Sequence, residues 1–296
     1  MFQGSMVALV TPMNVDGSLD IKSYNDLLDF HVQNKSDGVV VVGTTGEAPT
    51  IDFDEHISLI KEAVKFIRGR IPVIAGTGAN STKEAIFLTQ EAKNAGVDGS
   101  LLVTPYYNKP TQKGLHEHYK AINDAVDIPQ ILYNVPGRTC CDIENETVIK
   151  LSQLSNVVGI KDATGDLTRI ESLKNKVADN FIFISGDDLT FLDYLKKGGN
   201  GVISVTANVR PFMMHEICNL VREEKIDEAE KLNQKLEALH KAMFIESNPI
   251  PVKWMLTEMG LIKRYIRLPL VELDTNNIKI LNKGFELSKW IEYQLL

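Results

Sequence analysis

The chain has 296 residues, and 32 Lys and Arg against 39 Asp and Glu give a formal net charge of −7. That acidic balance argues against a nucleic-acid or anionic-membrane partner, each of which selects a basic face. A hydrophobic content of 44% and a charged content of 24% exclude intrinsic disorder, collagen and coiled coil, and the length suits two average domains or one large α/β barrel.

The first residues carry no basic segment, and their apolar run is only 6–10, so no signal peptide is read there. No apolar run approaches the roughly 18 residues of a membrane span. The three cysteines, Cys140, Cys141 and Cys218, cannot build a disulfide framework. Together these features suggest reduced thiols in a cytoplasmic protein.

Apolar, β-rich runs recur at 6–10, 38–42, 72–75, 100–103, 130–133, 157–160, 181–185 and 201–205. They are continuous rather than alternating, as expected of parallel strands covered on both faces. Amphipathic stretches separate them. Ile57, Ile60, Val64 and Ile67 recur at helical spacing, with Asp54 as the expected cap and Gly69 as the expected stop. Ser81 and Thr82 precede a second helix, and Asp188 and Gly198-Gly199 bracket a third. Eight such units are the pattern of a (β/α)8 barrel, residues 1–224. A doubly wound sheet uses the same local units, but no G-x-G-x-x-G turn follows the first strand. Beyond it, helices are expected at 211–224, 226–246, 251–259 and 277–295, which makes 225–296 a C-terminal helical domain.

Barrel active sites lie where the strands end. Hydroxyls, amides and glycines gather there, and charged or phenolic groups are few: Tyr106, Tyr107, Tyr133, Arg138 and Lys161. Lys161 closes an apolar run, and a period of two puts it on the opposite face from Ile160 and Asp162. If it points inward, Asp162 cannot neutralise it. Desolvation disfavours any enclosed ammonium, and a neutral amine can attack a ketone to form a Schiff base. A lysine at a strand end can equally snorkel to solvent. Gly43-Thr44-Thr45-Gly46 offers backbone N–H groups and hydroxyls suited to a small carboxylate. Tyr133 could move protons, and the fork of Arg138 matches a carboxylate. The six histidines and the cysteines show no zinc spacing, and there is no P-loop or nucleophile elbow.

The segments GTTGE (43–47), PVIAGTGAN (72–80), TPYYNKP (104–110), QILYNVPGRT (130–139), GIKDATG (159–165), SGDD (185–188), GVISVTAN (201–208) and NPIPVKW (248–254) together resemble the dihydrodipicolinate synthase family, whose modern name is 4-hydroxy-tetrahydrodipicolinate synthase. The resemblance runs nearly end to end and is weakest after about Met259. It implies a barrel with a helical C-terminal domain, assembled as a homotetramer, a dimer of dimers. It implies condensation of pyruvate with L-aspartate 4-semialdehyde on the route to diaminopimelate and lysine, without metal or organic cofactor. Carried onto this chain, Lys161 would form the Schiff base. Tyr133, Thr44 and Tyr107 would relay protons, with Tyr107 reaching in from a neighbouring subunit. Thr45 would hold the pyruvate carboxylate, Arg138 the semialdehyde, and the backbone at Gly186 and Ile203 would line the site. L-lysine would bind near His56, Asn80, Glu84 and Tyr106 as an inhibitor, although Ala48, Pro49 and Phe53 depart from the usual polar lining. Gly137 and Asp162 also depart from the common pattern, and Gly137 could loosen the loop that places Arg138. Two other readings stay open: another pyruvate lyase such as N-acetylneuraminate lyase, against which Arg138 speaks, and a catalytically silent regulatory barrel.

Overall fold

The computed structural model describes residues 2–289. Eight strands, β1 (Gly4–Ala8), β2 (Gly38–Val41), β3 (Val73–Gly76), β4 (Gly99–Val103), β5 (Gln130–Asn134), β6 (Val157–Asp162), β7 (Ile182–Ser185) and β8 (Gly201–Ser204), pair in parallel with their sequence neighbours, and β8 pairs with β1. The sheet is therefore a closed barrel. Closure leaves no strand edge open, and each run is buried on both faces, which is why the runs read as continuously apolar.

Alternation divides each strand between two environments. Inward residues such as Met6, Val40, Ile74, Leu101, Ile131, Ile184 and Ile203 fill the barrel, with Phe2 at its base. Outward residues such as Val7, Val39, Val41 and Val73 pack beneath the surrounding helices. That outer core runs on without a break to Leu232, Leu236, Leu239, Trp254 and Leu281 of the C-terminal helices. Those helices are Ile226–Ala242, Ile250–Glu258 and Ile278–Leu287. The part of the expected 277–295 helix beyond residue 289 lies outside the described residues.

Several local expectations shift. β1 begins at Gly4, before the apolar run, because Gly4 and Ser5 pair with Gly201 and Val202. β6 extends to Asp162, so Lys161 lies within the strand, opposite Tyr133 and Ile184. The helix Phe53–Ile67 is capped by Asp52, which forms a capping box with Glu55, and Asp54 sits in its first turn. That helix ends at Arg68, in the left-handed region at φ 51°, one residue before Gly69. The helix expected after Asp188 starts at Phe191. Asp188 instead accepts hydrogen bonds from the backbone N–H groups of Val205 and Thr206. Among the described residues no helix is long and apolar enough to cross a membrane.

Candidate active site

Lys161 points into the barrel mouth and is only 6% exposed. Its Nζ lies 4.1 Å from the centroid of the Tyr133 ring. The flanking residues face outward, as alternation requires: Ile160 packs in a second apolar cluster with Ile170 and Leu173 of the helix that follows β6. The Asp162 carboxylate accepts from Arg169 Nε at 2.8 Å and from the Thr164 backbone N–H. Arg169 also pairs with Asp142. The negative charge of Asp162 is thus taken up on the helix side of the sheet.

A cavity of about 120 Å3 surrounds the amine and is lined by Thr44, Thr45, Tyr133, Arg138, Lys161, Gly186 and Ile203. These are seven of the eight catalytic and substrate-binding residues named from sequence. Phe244 and Asn248 from the C-terminal region close it, with Ala8, Val40, Ala163, Asp187 and Val205 on its walls. The Asp187 carboxylate is occupied by the Thr190 backbone N–H and hydroxyl. An amine among apolar groups, hydroxyls and a phenol suits imine chemistry with a small keto acid.

The turn bearing Thr44 and Thr45 is held in an unusual conformation. Val42 and Glu47, which flank it, have φ of 51° and 60°. A β-branched residue in the left-handed region stores strain of about 1–3 kcal/mol and persists only where its surroundings enforce it. Gly76 is part of that enforcement, since a Cβ there would lie 2.4 Å from the Val42 carbonyl oxygen. Asn248 supplies more. Its Nδ2 donates to Thr45 Oγ1 at 2.9 Å, and its carbonyl accepts from Arg138 Nη2 at 3.2 Å. Arg138 rides on the short helical turn Pro136–Thr139. A side chain at Gly137 would meet nothing within 4 Å, so no close approach requires the glycine.

Tyr107 stands apart. It is 90% exposed, with φ 75°, and lines neither the amine cavity nor its neighbour. The neighbouring cavity, about 340 Å3, is lined by Thr44, Tyr133 and Arg138 at one end and by His56, Glu84 and Tyr106 farther on. Ala48, Pro49 and Phe53 give it apolar walls. Asn80 is absent from the lining, but its Nδ2 donates to the Tyr106 carbonyl at 3.2 Å. Burial lowers the His56 pKa, opposed by the hydrogen bond between its Nε2 and the Gly76 carbonyl. Burial also raises the Tyr106 pKa, with the nearby charge of Glu84 adding to it. Among the described residues no cluster of His, Cys, Asp and Glu could hold a metal ion.

Comparison with known proteins decides the family. The model of the dihydrodipicolinate synthetase family matches residues 1–286. The chain belongs to this family. A family relative from Nitrosomonas eutropha, 4-hydroxy-tetrahydrodipicolinate synthase, is 56% identical and covers 96% of this chain and 97% of its own. One of the same name from Pseudomonas putida is 57% identical over 92% of this chain and 94% of its own. The chloride-inhibited dihydrodipicolinate synthase of Acinetobacter baumannii, solved with pyruvate, is 50% identical. It superposes with a TM-score of 0.95 over 97% of this chain and 99% of its own. The family member of Cyanidioschyzon merolae, solved with lysine bound, is 35% identical, with a TM-score of 0.94 over 97% and 98% of the two chains.

Reading the sequence missed Asn248 and Phe244 at the cavity, and the buried ion pair of Glu47 and Lys253 beside it. The segment 248–254 stood out only as a proline-marked break and a motif. The available signal was a lysine, Lys253, and an asparagine set among apolar residues.

Proposed function

We propose that the chain is a 4-hydroxy-tetrahydrodipicolinate synthase acting on pyruvate and L-aspartate 4-semialdehyde, with Lys161 as the Schiff-base lysine. The observation that carries this is the buried Lys161 amine, beside the Tyr133 ring and without an ion pair among the described residues. The amine attacks the ketone carbon of pyruvate, water leaves, and an imine forms. The imine withdraws electrons, so the methyl group loses a proton to give an enamine. The enamine carbon attacks the aldehyde carbon, and the aldehyde oxygen takes up a proton. The amine of the semialdehyde then attacks the imine carbon, closes the ring and releases Lys161. The lysine is itself the electron sink, so the scheme calls on no metal or organic cofactor.

Tyr133 and Thr44 flank the reacting carbons and move the protons. Thr45 and its turn receive the pyruvate carboxylate, and the Gly186 and Ile203 backbone lines the site. Arg138 at the mouth takes the semialdehyde carboxylate. Tyr107 completes the relay in a neighbouring subunit of a homotetramer, a role supported by its exposure and by its place outside the lining of its own cavity. The barrel, within 1–224, carries the chemistry, and the helices from residue 225 onward, among the described residues, cover it. L-Lysine inhibits weakly to moderately at the cavity of His56, Glu84 and Tyr106, with Asn80 beside it. The enzyme works in the cytoplasm, where its three free thiols stay reduced.

The test is to incubate the protein with pyruvate, reduce with borohydride and map the added mass. A pyruvyl adduct on Lys161, lost in Lys161→Ala, is expected. An adduct retained elsewhere, or none in the wild type, overturns the assignment. Unchanged activity at high lysine concentration overturns the inhibition.

A further inference from the structure

Glu47 and Lys253 form an ion pair in which the side chains are 1% and 4% exposed. Both charges are spoken for. Glu47 Oε1 accepts from Lys253 Nζ, and Oε2 accepts from the Arg267 backbone N–H at 3.1 Å. Lys253 Nζ also donates to the Thr11 carbonyl at 3.1 Å, and Thr11 Oγ1 donates to the Gly46 carbonyl at 2.7 Å. One ammonium from the C-terminal region thus ties together the loops after β1 and β2.

Desolvating two charges is expensive, and a buried pair adds little stability over apolar residues of similar size. Fixing one arrangement among several is the better-attested use. Here the arrangement to be fixed is the turn after β2. The turn 43–46 is flanked by Val42 and Glu47, both in the left-handed region, and relaxes unless held. Asn248 grips it at Thr45, and Lys253 grips it at Glu47.

We propose that Glu47 and Lys253 are positioning residues whose ion pair holds the Thr44-Thr45 turn in the shape that receives the keto-acid carboxylate. This rests on the reading of the Lys161 cavity as the pyruvate site. The pair touches no substrate. It acts through the turn, so its loss weakens capture of the keto acid more than the later chemistry.

The experiment measures, for the full-length protein, the pyruvate concentration that half-saturates the borohydride-trapped Lys161 adduct. Thermal midpoint and kcat are measured alongside. Lys253→Met leaves Glu47 buried and unpaired, and both the thermal midpoint and pyruvate affinity fall. Glu47→Gln combined with Lys253→Met removes both charges. It regains most of the thermal midpoint, while half-saturation stays raised about tenfold and kcat at saturating pyruvate falls less than about threefold. Glu47→Asp keeps the charge but shortens its reach by one methylene, and it too raises half-saturation. Wild-type half-saturation in the double variant and in Glu47→Asp overturns the proposal and leaves the pair a purely structural one. Absence of any adduct in the wild type overturns the pyruvate reading itself and this inference with it.

Discussion

Gly186→Ala places a methyl group where the site has no room. Its Cβ would lie 2.8 Å from Ala163 Cβ, 2.9 Å from Lys161 Cε and 3.2 Å from the Asp162 carbonyl oxygen. Carbon atoms settle at about 3.5–4.0 Å, so relief requires roughly 0.6–1 Å of movement. Two of the three neighbours are held. The Asp162 carbonyl accepts from the Gly186 backbone N–H at 2.7 Å, and the Ala163 backbone N–H donates to the Asn134 carbonyl at 2.9 Å. The Lys161 side chain is the soft partner, so its Cε, and the amine beyond it, yields. A displacement near 1 Å costs about 100-fold in rate, or about 2.7 kcal/mol of transition-state stabilisation. Overpacking costs a further 1–3 kcal/mol or so of stability. The assay is kcat/KM for the condensation, with thermal unfolding and the rate of pyruvate adduct formation measured in parallel. A folded Gly186→Ala enzyme with kcat/KM within about threefold of wild type would refute the claim that the amine's position is set by contact with Gly186.

Two further outcomes follow from buried groups. In Asp162→Asn the Arg169 guanidinium, 12% exposed, loses its buried carboxylate and keeps Asp142, 45% exposed, and the Ile143 carbonyl. The expected cost is about 3 kcal/mol, a fall in thermal midpoint of roughly 4–6 °C; a fall under about 2 °C would sink the argument. Burial lowers the pKa of His31 to about 3 and of His118 to about 4, from 6.5. As pH falls below 6.5 the unfolded chain binds protons that the folded chain refuses, so stability present above that pH is lost on acidification. Each histidine removes about 2 kcal/mol at pH 5. Urea midpoints at pH 7 and pH 5 should show the loss, and His118→Gln should lessen it; an identical loss in that variant counts against the reasoning.

The sequence by itself determined the repeating β/α unit, its number and the opposite facing of Lys161 from Ile160 and Asp162. Those are local properties. A buried parallel strand needs a continuous apolar run, and a pleat sends successive side chains to opposite sides. Hence the opposite facing of Lys161 and of Ile160 and Asp162, and the strand-end places of Thr44, Thr45, Tyr133 and Arg138, were legible in the residues, whereas the inward direction of Lys161 stayed open and Gly186 and Ile203 entered only through the family resemblance. Strand ends were less so. Gly4 and Ser5 carry no apolar signal and become strand only because β8 closes onto β1. Asp54 is the expected cap, and only the folded turn shows Asp52 taking that place by accepting from the Glu55 backbone N–H. The tertiary structure alone decided what holds the site in shape. Asn248 reaches Thr45 across 203 residues and Lys253 reaches Glu47 across 206. No periodicity encodes such pairings, because each residue looks locally like part of a proline-marked helix start. Their meaning arises only when closure of the barrel and packing of the C-terminal helices bring residues this far apart in sequence to one cavity.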